Sequence, residues 1–200
     1  MNRLERLKRE ARACHLCEAF LPLGPRPVFR ASTTARILIV GQAPGRLVHE
    51  TGTPWNDPSG NRLRDWLRLD SETFYDERRI AIVPMGFCYP GVDKSGGDNP
   101  PRPECAPRWQ RQFLALMPRI ELTLLVGSYA HAFHLGTAKK KTMSETVAAW
   151  REHPAHLVAL PHPSWRNTAW LKRNPWFENE LLPVLRRRVA RLVHTSLINN

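Results

Sequence analysis

The chain has 200 residues, a length that fits one folded domain, and 42% of them are hydrophobic, which excludes an intrinsically disordered protein. Thirty Lys and Arg against eighteen Asp and Glu give a net charge of +12, which suits a polyanionic partner, most commonly nucleic acid. No apolar run reaches the roughly 18–20 residues that cross a bilayer, and the charged N-terminus shows no secretory signal. We therefore expect a single domain over residues 1–200 that is cytoplasmic, monomeric and without a membrane partner.

The first half of the chain shows two predicted helices and two predicted strands. Residues 1–13 have the apolar spacing of a short amphipathic helix. The apolar run 36–40 ends at a glycine and predicts a buried strand that enters a tight turn. A helix is predicted over 59–69, with Ser59 near its start, and a second strand over 80–83.

The second half begins with a long segment rich in Pro and Gly, residues 87–107, and a loop of this length is usually functional or tied down. The elements predicted after it are a helix over 107–116, a strand over 122–126, helices over 128–135 and 143–150, a strand over 157–160 and a basic helix over 175–197 interrupted near Pro183. Because strands alternate with helices, the sequence predicts an α/β fold with a mostly parallel four-stranded sheet covered on both faces. Ligands of such sheets bind at the carboxyl ends of the strands.

The chain has four cysteines, and they form a pattern typical of a metal site. Cys14 and Cys17 form a CxxC pair, whereas Cys88 and Cys105 bracket the long loop. In a reducing compartment, four thiols are more often metal ligands than disulfides. A zinc ion and an iron–sulfur cluster both accept four thiolates, and spacing alone does not separate them. The sequence therefore predicts a metal site on these four residues and leaves the metal open.

Two motifs follow predicted strands, where chemistry is expected. Residues 41–45, GQAPG, form a rigid turn whose backbone amides can face a ligand, but no Lys follows as in a phosphate loop. Residues 160–164, LPHPS, hold His162 between two prolines, and the hydroxyl of Ser164 can donate to a phosphate. Both motifs are therefore candidates for parts of one site.

Together these features resemble the uracil-DNA glycosylase superfamily, and most nearly its iron–sulfur, family 4-like branch. That branch has an N-terminal CxxC, a GEAPG-like turn after the first strand, a second cysteine pair around a loop, and a His-Pro motif after the last strand. All four features occur here in the same order, over nearly the whole chain. Residues 162–167, HPSWRN, are also similar to the HPSPRN segment of single-strand-selective relatives.

The resemblance implies a three-layer α/β/α fold of the uracil-DNA glycosylase type and a [4Fe–4S] cluster on the four cysteines. It implies DNA with a damaged base as the partner, and hydrolysis of the N-glycosidic bond of uracil or another damaged base flipped out of the helix.

The resemblance also implies a role for each group of site residues. The catalytic residues are His162, which donates to the leaving base, and Gln42, which positions the water. The base-binding residues are Gly41, Ala43, Trp55 and Met85, with Trp55 stacking on the base. The DNA-binding residues are Ser164, Trp165, Arg166 and Asn167.

Two positions depart from the pattern of the family. Gln42 replaces its Glu, and Ala43 stands where other branches carry a catalytic Asp or Asn, so the turn holds no carboxylate. Pro84 stands where an Asn reads the edge of uracil, and a good bidentate contact is worth about 1–3 kcal/mol. Asn56 and Asp57 are candidate replacements by their nearness in sequence. These departures leave open a different base, and an alternative in which the chain is a catalytically silent iron–sulfur DNA-binding protein of the same fold.

Overall fold

The computed structural model describes residues 2–94 and 96–194, and a four-stranded sheet forms its centre. The strands are β1 (Ile37–Val40), β2 (Ile80–Ile82), β3 (Leu122–Val126) and β4 (Leu157–Leu160). They lie in the order β2-β1-β3-β4, and every neighbouring pair is parallel. In the register, Ile39 pairs with Ile82 and with Leu124. The predicted parallel sheet of four strands is thus confirmed.

Helices cover both faces of this sheet. In chain order they are α1 (Arg3–Arg12), α2 (Arg46–Thr51), α3 (Pro58–Leu67), α4 (Ser71–Tyr75), α5 (Cys105–Ala115), α6 (Ser128–Leu135), α7 (Met143–Ala148), α8 (Thr168–Arg173) and α9 (Leu182–His194). Side chains alternate along each strand, so Leu38 and Val40 face a core shared with α1, α5 and α6. Ile37 and Ile39 face a second core with α3, α4, α7 and α9. The three-layer α/β/α arrangement follows, and none of the described helices has the length and apolarity to cross a membrane.

Some helix boundaries differ from the sequence prediction. α3 begins at Pro58 instead of Ser59, because the carboxylate of Asp57 caps it by accepting the amide N–H of Gly60 at 2.7 Å. The tail holds a π-helical stretch at Phe177–Leu181, which ends two residues before Pro183, whose ring nitrogen cannot donate the hydrogen bond of a regular α-helical turn. The predicted end of this helix, residues 195–197, lies outside the described residues.

Three short helices, α2, α4 and α8, were not predicted. They have six, five and six residues, each less than two helical turns, so they carry little of the helical period. Short 3₁₀ turns also occur at Glu18–Phe20, Gly136–Ala138 and Trp165–Asn167. The last of these turns directly follows the LPHPS motif.

The long segment after β2 contains a small hairpin whose described residues are 91–94 and 96–99, and we call it the 91–99 hairpin. Val92 and Asp98 form an antiparallel bridge, and the N–H of Asn99 donates to the carbonyl oxygen of Gly91 at 2.9 Å. Gly91 has φ +86°, a left-handed conformation that glycine adopts without strain. Gln42 fixes the hairpin from outside, since its Nε2 donates to the carbonyl oxygen of Asn99 at 3.2 Å. These contacts therefore hold the hairpin against the turn that follows β1.

A buried histidine ties together the ends of β3 and β4. Nε2 of His131 lies 3.0 Å from the carbonyl oxygen of Leu125 and 3.1 Å from that of Leu160. Burial lowers the pKa of His131 to about 4, so the ring is neutral at neutral pH. Because carbonyl oxygens only accept, Nε2 must carry the proton. This contact fixes the strand end from which the LPHPS motif continues.

Candidate active site

A pocket of about 200 Å³ opens at the carboxyl ends of the strands. The 41–45 turn after β1 forms one wall, and Pro84 after β2 contributes beside it. The 54–59 segment, Asp98 of the 91–99 hairpin and the 162–166 segment after β4 complete it. The two strand-end motifs, which lie more than a hundred residues apart in sequence, therefore meet in one place, as the parallel sheet predicts.

Most of the predicted catalytic, base-binding and DNA-binding residues line this pocket, and two do not. Met85 is buried in the core beside α1 and α5, and only its backbone serves the site, donating its N–H to the carbonyl oxygen of Gly41 at 2.9 Å. Asn167 lies behind the LPHPS motif, where its Nδ2 donates to the carbonyl oxygen of His162 at 2.7 Å. Both residues thus hold the walls of the pocket from outside. The eight that line it are Gly41, Gln42, Ala43, Trp55, His162, Ser164, Trp165 and Arg166.

The indole of Trp55 forms a fixed wall beside His162. The centroids of the two rings lie 5.6 Å apart, with their planes tilted by 33°. The indole also leaves no room for a side chain at Gly41, where a Cβ would stand 2.8 Å from Cζ2 of Trp55. The backbone of Trp55 has φ +57°, and its carbonyl oxygen accepts from the hydroxyl of Tyr75 at 3.2 Å and from Nη1 of Arg64 at 3.3 Å. A left-handed tryptophan held by two donors indicates a position that the fold enforces.

Two acidic side chains reach the pocket. Of the two residues that were candidates to replace the edge-reading amide, Asp57 lines the pocket and caps α3, whereas Asn56 is exposed outside it. Asp98 was not predicted, and the length of its loop was the only signal that pointed toward it. Partial burial and the charge of Asp57 raise the pKa of Asp98, and Arg166 opposes them. Burial lowers the pKa of His162 and Asp57 opposes it, so the imidazole is largely neutral at neutral pH.

The rim of the pocket carries exposed aromatic and basic groups. Trp165 is 74% exposed, and the guanidinium of Arg166 lies 5.5 Å from the centroid of its ring. Arg62, on α3, donates through Nη1 to the carbonyl oxygen of Ser164 at 2.9 Å. This contact ties the rim to α3, so the exposed tryptophan projects from an anchored segment.

The four cysteines converge on a separate cavity, on the side of the sheet covered by α1 and α5. Cys14 follows α1, Cys17 precedes a 3₁₀ turn, Cys88 follows β2 and Cys105 is the first residue of α5. All four are partly buried and unpaired by disulfides. Burial raises the pKa of Cys88 to about 11 and that of Cys105 to about 12, so without a metal both thiols keep their protons at neutral pH.

The surroundings of this cavity include an ion pair and an apolar wall. Arg102 donates to Glu104 at 2.8 Å, and Sγ of Cys17 lies 3.7 Å from Oε2 of the same carboxylate. Leu16 and Trp109 contribute apolar surface. Within residues 2–94 and 96–194, no three His, Cys, Asp or Glu side chains are grouped so as to hold a metal ion. The donor set itself, four thiols from separate segments around one cavity, fits a group bound by four thiolates.

A comparison with known protein families matches residues 29–186 to the Uracil DNA glycosylase superfamily. The matched region includes all four strands, both strand-end motifs and two of the four cysteines. Members of this superfamily are generally DNA glycosylases, and some of them hold a [4Fe–4S] cluster. The match covers most of the chain and agrees with the parallel sheet and the pocket at its strand ends. This chain therefore belongs to the uracil DNA glycosylase superfamily.

Proposed function

We propose that this protein is a DNA glycosylase that hydrolyses the N-glycosidic bond of uracil or another damaged base turned out of DNA. The observation that carries the proposal is the pocket in which His162 and Trp55 lie side by side, with ring centroids 5.6 Å apart. An enzyme that acts on a base within DNA must take that base out of the stack and hold it. A pocket with one flat apolar wall and one polar ring suits this task.

Trp55 supplies the surface on which the base stacks. Stacking of a base on an aromatic side chain is worth about 1–3 kcal/mol and is tolerant of the identity of the base. Gly41 allows the indole its close approach to the turn, and the contacts of the Trp55 carbonyl keep the ring in place. The enzyme therefore holds the base at little cost in side-chain entropy, because the wall is already rigid.

His162 supplies the electrostatic help for departure of the base. As the glycosidic bond breaks, its electron pair moves to the base, and negative charge grows on the base oxygens. A neutral imidazole N–H directed at such an oxygen stabilises this charge more in the transition state than in the ground state. The contact from Asn167 to the carbonyl of His162 and the flanking prolines hold the ring in position beforehand.

The rim supplies binding to the DNA itself. We expect the exposed ring of Trp165 to fill the space that the flipped base leaves, while Arg166 and the hydroxyl of Ser164 contact phosphates. The net charge of +12 adds binding that is independent of sequence and weakens as salt is raised. These contacts do not determine which base the pocket prefers. Pro84 lines the pocket where relatives have an Asn that reads the edge of uracil, and proline offers no side-chain donor there.

The test of this proposal is base release from labelled oligonucleotides that carry uracil, hypoxanthine or xanthine, each in single- and double-stranded form. Alkali cleaves the strand wherever a base has been removed. The protein is prepared without oxygen, and an oligonucleotide with no damaged base is the control substrate. Strand cleavage at the damaged base supports the proposal. Salt-dependent DNA binding without cleavage on any of these substrates contradicts it and favours a catalytically silent DNA-binding protein.

We further propose that Cys14, Cys17, Cys88 and Cys105 hold a [4Fe–4S] cluster. The convergence of all four cysteines on one cavity supports this proposal. A cluster spreads its thiolates over four iron atoms, whereas zinc needs all four within about 2.3 Å of one ion. Such a cluster would cross-link the N-terminal segment, the end of β2 and the start of α5.

Cys88→Ser is expected to lose bound iron and to weaken the active pocket. The backbone N–H groups of Met85 and Gly86 donate to the carbonyl oxygens of Gly41 and Gln42, each at 2.9 Å, so a loosened segment before Cys88 loosens the turn. Iron analysis of protein prepared without oxygen should give about four irons per chain in the wild type and few in the variant. Stoichiometric zinc and no iron in the wild type would contradict the cluster.

A further inference from the structure

The turn after β1 has no carboxylate, yet hydrolysis needs a group that takes a proton from the attacking water. In the part of the chain that the structure describes, two carboxylates line the pocket, those of Asp57 and Asp98. Gln42 and Ala43 occupy the turn positions from which relatives supply an acidic or amide group. Asp57 and Asp98 are therefore the two candidates for the base.

Asp57 is committed to the fold. Its Oδ1 accepts the N–H of Gly60 at 2.7 Å and so caps α3. Its charge also acts on His162, where it opposes the lowering of the imidazole pKa by burial. A carboxylate that caps a helix is held by that contact and cannot turn toward a water without losing it. Asp57 is thus poorly suited to hold the water.

Asp98 stands at the mouth of the pocket. It is exposed on one side and lines the pocket on the other, and its Oδ2 lies near the backbone of Gly45, 3.9 Å from where a Cβ of that residue would be. When a base enters a pocket, its sugar stays at the mouth, because the phosphates on both sides remain in the DNA strand. A carboxylate at the mouth therefore faces the sugar carbon that the water attacks.

Gln42 accounts for the position of Asp98. Its Nε2 donates to the carbonyl oxygen of Asn99, the residue that follows Asp98 in the 91–99 hairpin. The bridge between Val92 and Asp98 and the hydrogen bond from Asn99 to Gly91 complete the support. Gln42, which stands where relatives have Glu, thus holds the hairpin that carries the carboxylate of Asp98.

We infer that Asp98 is the general base of this enzyme and that Gln42 is its positioning residue, an inference that rests on the proposed glycosylase function. The bond between the sugar carbon C1′ and the base nitrogen breaks, and its electron pair leaves with the base. Water forms the new bond to C1′ and gives one proton to the carboxylate of Asp98. The base, which leaves with that electron pair, takes up one proton from solvent, and Asp98 returns its proton to solvent, so the products are the free base and a sugar with a hydroxyl at C1′. Partial burial and Asp57 raise the pKa of Asp98, which makes the ionised carboxylate a stronger base than a solvated one.

The first test compares Asp98→Asn with the wild type in single-turnover base release. General-base catalysis contributes about 10²–10⁴-fold, so we expect a loss of at least about 10²-fold with DNA affinity nearly unchanged. Asp65→Asn, which removes one exposed carboxylate of α3 outside the pocket, is the matched control and should behave as the wild type.

Gln42→Ala should slow release in the wild-type background and add little to Asp98→Asn, because two residues that act through one contact are not additive. Equal rates for Asp98→Asn and the wild type would overturn the inference and leave the glycosylase function standing.

The second test needs no turnover. DNA with a cationic pyrrolidine in place of the target sugar imitates the positive charge of the transition state, and DNA with a neutral tetrahydrofuran is the reference. We expect the wild type to prefer the cation by about tenfold, and Asp98→Asn to lose that preference, since the carboxylate faces the charge. A wild type that releases no base contradicts the proposed function. A preference for the cation that survives in Asp98→Asn overturns the inference whatever the activity.

Discussion

Replacing His162 with Ala is expected to lower base release by about 10²–10³-fold, because the pocket loses the donor that stabilises charge on the leaving base. The loss should appear in the rate of the chemical step rather than in binding. Trp55 keeps its place through the contacts of its own backbone, and the substitution leaves Trp165 and Arg166, the proposed DNA contacts of the rim, unchanged. Single-turnover release and DNA affinity, measured on the same oligonucleotide, separate the two effects.

The matched control for this substitution is His156→Ala. His156 is an exposed histidine just before β4, so its removal deletes an imidazole without touching the pocket. We expect wild-type release and wild-type affinity from this control. His162→Asn should recover part of the lost rate, since an amide N–H can also donate to the base. A comparable fall of affinity and of rate in His162→Ala would show that the histidine is structural, and this result would contradict its assigned role.

Much of the fold could be predicted from the sequence because the strands of a parallel sheet are buried on both faces. Such strands appear as short continuous apolar runs, as at 122–126, and all five of those residues are buried in the structure. The parallel order then brings the two strand-end motifs to one edge of the sheet. Their meeting in one pocket needed no knowledge of side-chain positions, only the rule for where parallel strands end.

Met85 shows why residue roles near a strand end are harder to predict. Side chains alternate across a strand, and Val83 and Met85 both face the core beside α1 and α5, whereas Pro84 between them lines the pocket. A shift of one residue therefore exchanges a pocket wall for a core position. The sequence shows that this segment follows a strand but does not show which of its side chains points into the site.

The place of Asp98 in the pocket could not be predicted from the sequence, for a different reason. Its position depends on the fold of the 91–99 hairpin and on one hydrogen bond from Gln42, a residue more than fifty positions away in sequence. Neither contact leaves a periodic signal, because hairpins in long loops are stabilised by particular hydrogen bonds rather than by an apolar pattern. The substitution of Glu by Gln in the turn was visible, but its structural partner was not.

Gly60→Ala is expected to destabilise the protein by about 3 kcal/mol or more, at the upper end of the usual cost of overpacking. A Cβ on Gly60 would stand 1.7 Å from the carbonyl oxygen of Trp55, and this atom belongs to the backbone, so no change of rotamer relieves the clash. The N–H of Gly60 also donates to the capping carboxylate of Asp57. To admit the methyl group, α3 must move away from the 54–59 segment, and Trp55 must shift with its strained backbone.

Urea unfolding measures the expected loss of stability, and Gly45→Ala is the matched control for a methyl group added at a glycine. Gly45 has φ −78°, and the nearest atom to its added Cβ is 3.9 Å away, so the control should stay within about 1 kcal/mol of the wild type. Because we propose Trp55 as the stacking wall, base release by folded Gly60→Ala protein should fall as well, through weaker retention of the flipped base. Wild-type stability in Gly60→Ala would contradict the close contact of α3 with Trp55, and with it the rigid wall on which the proposed chemistry depends.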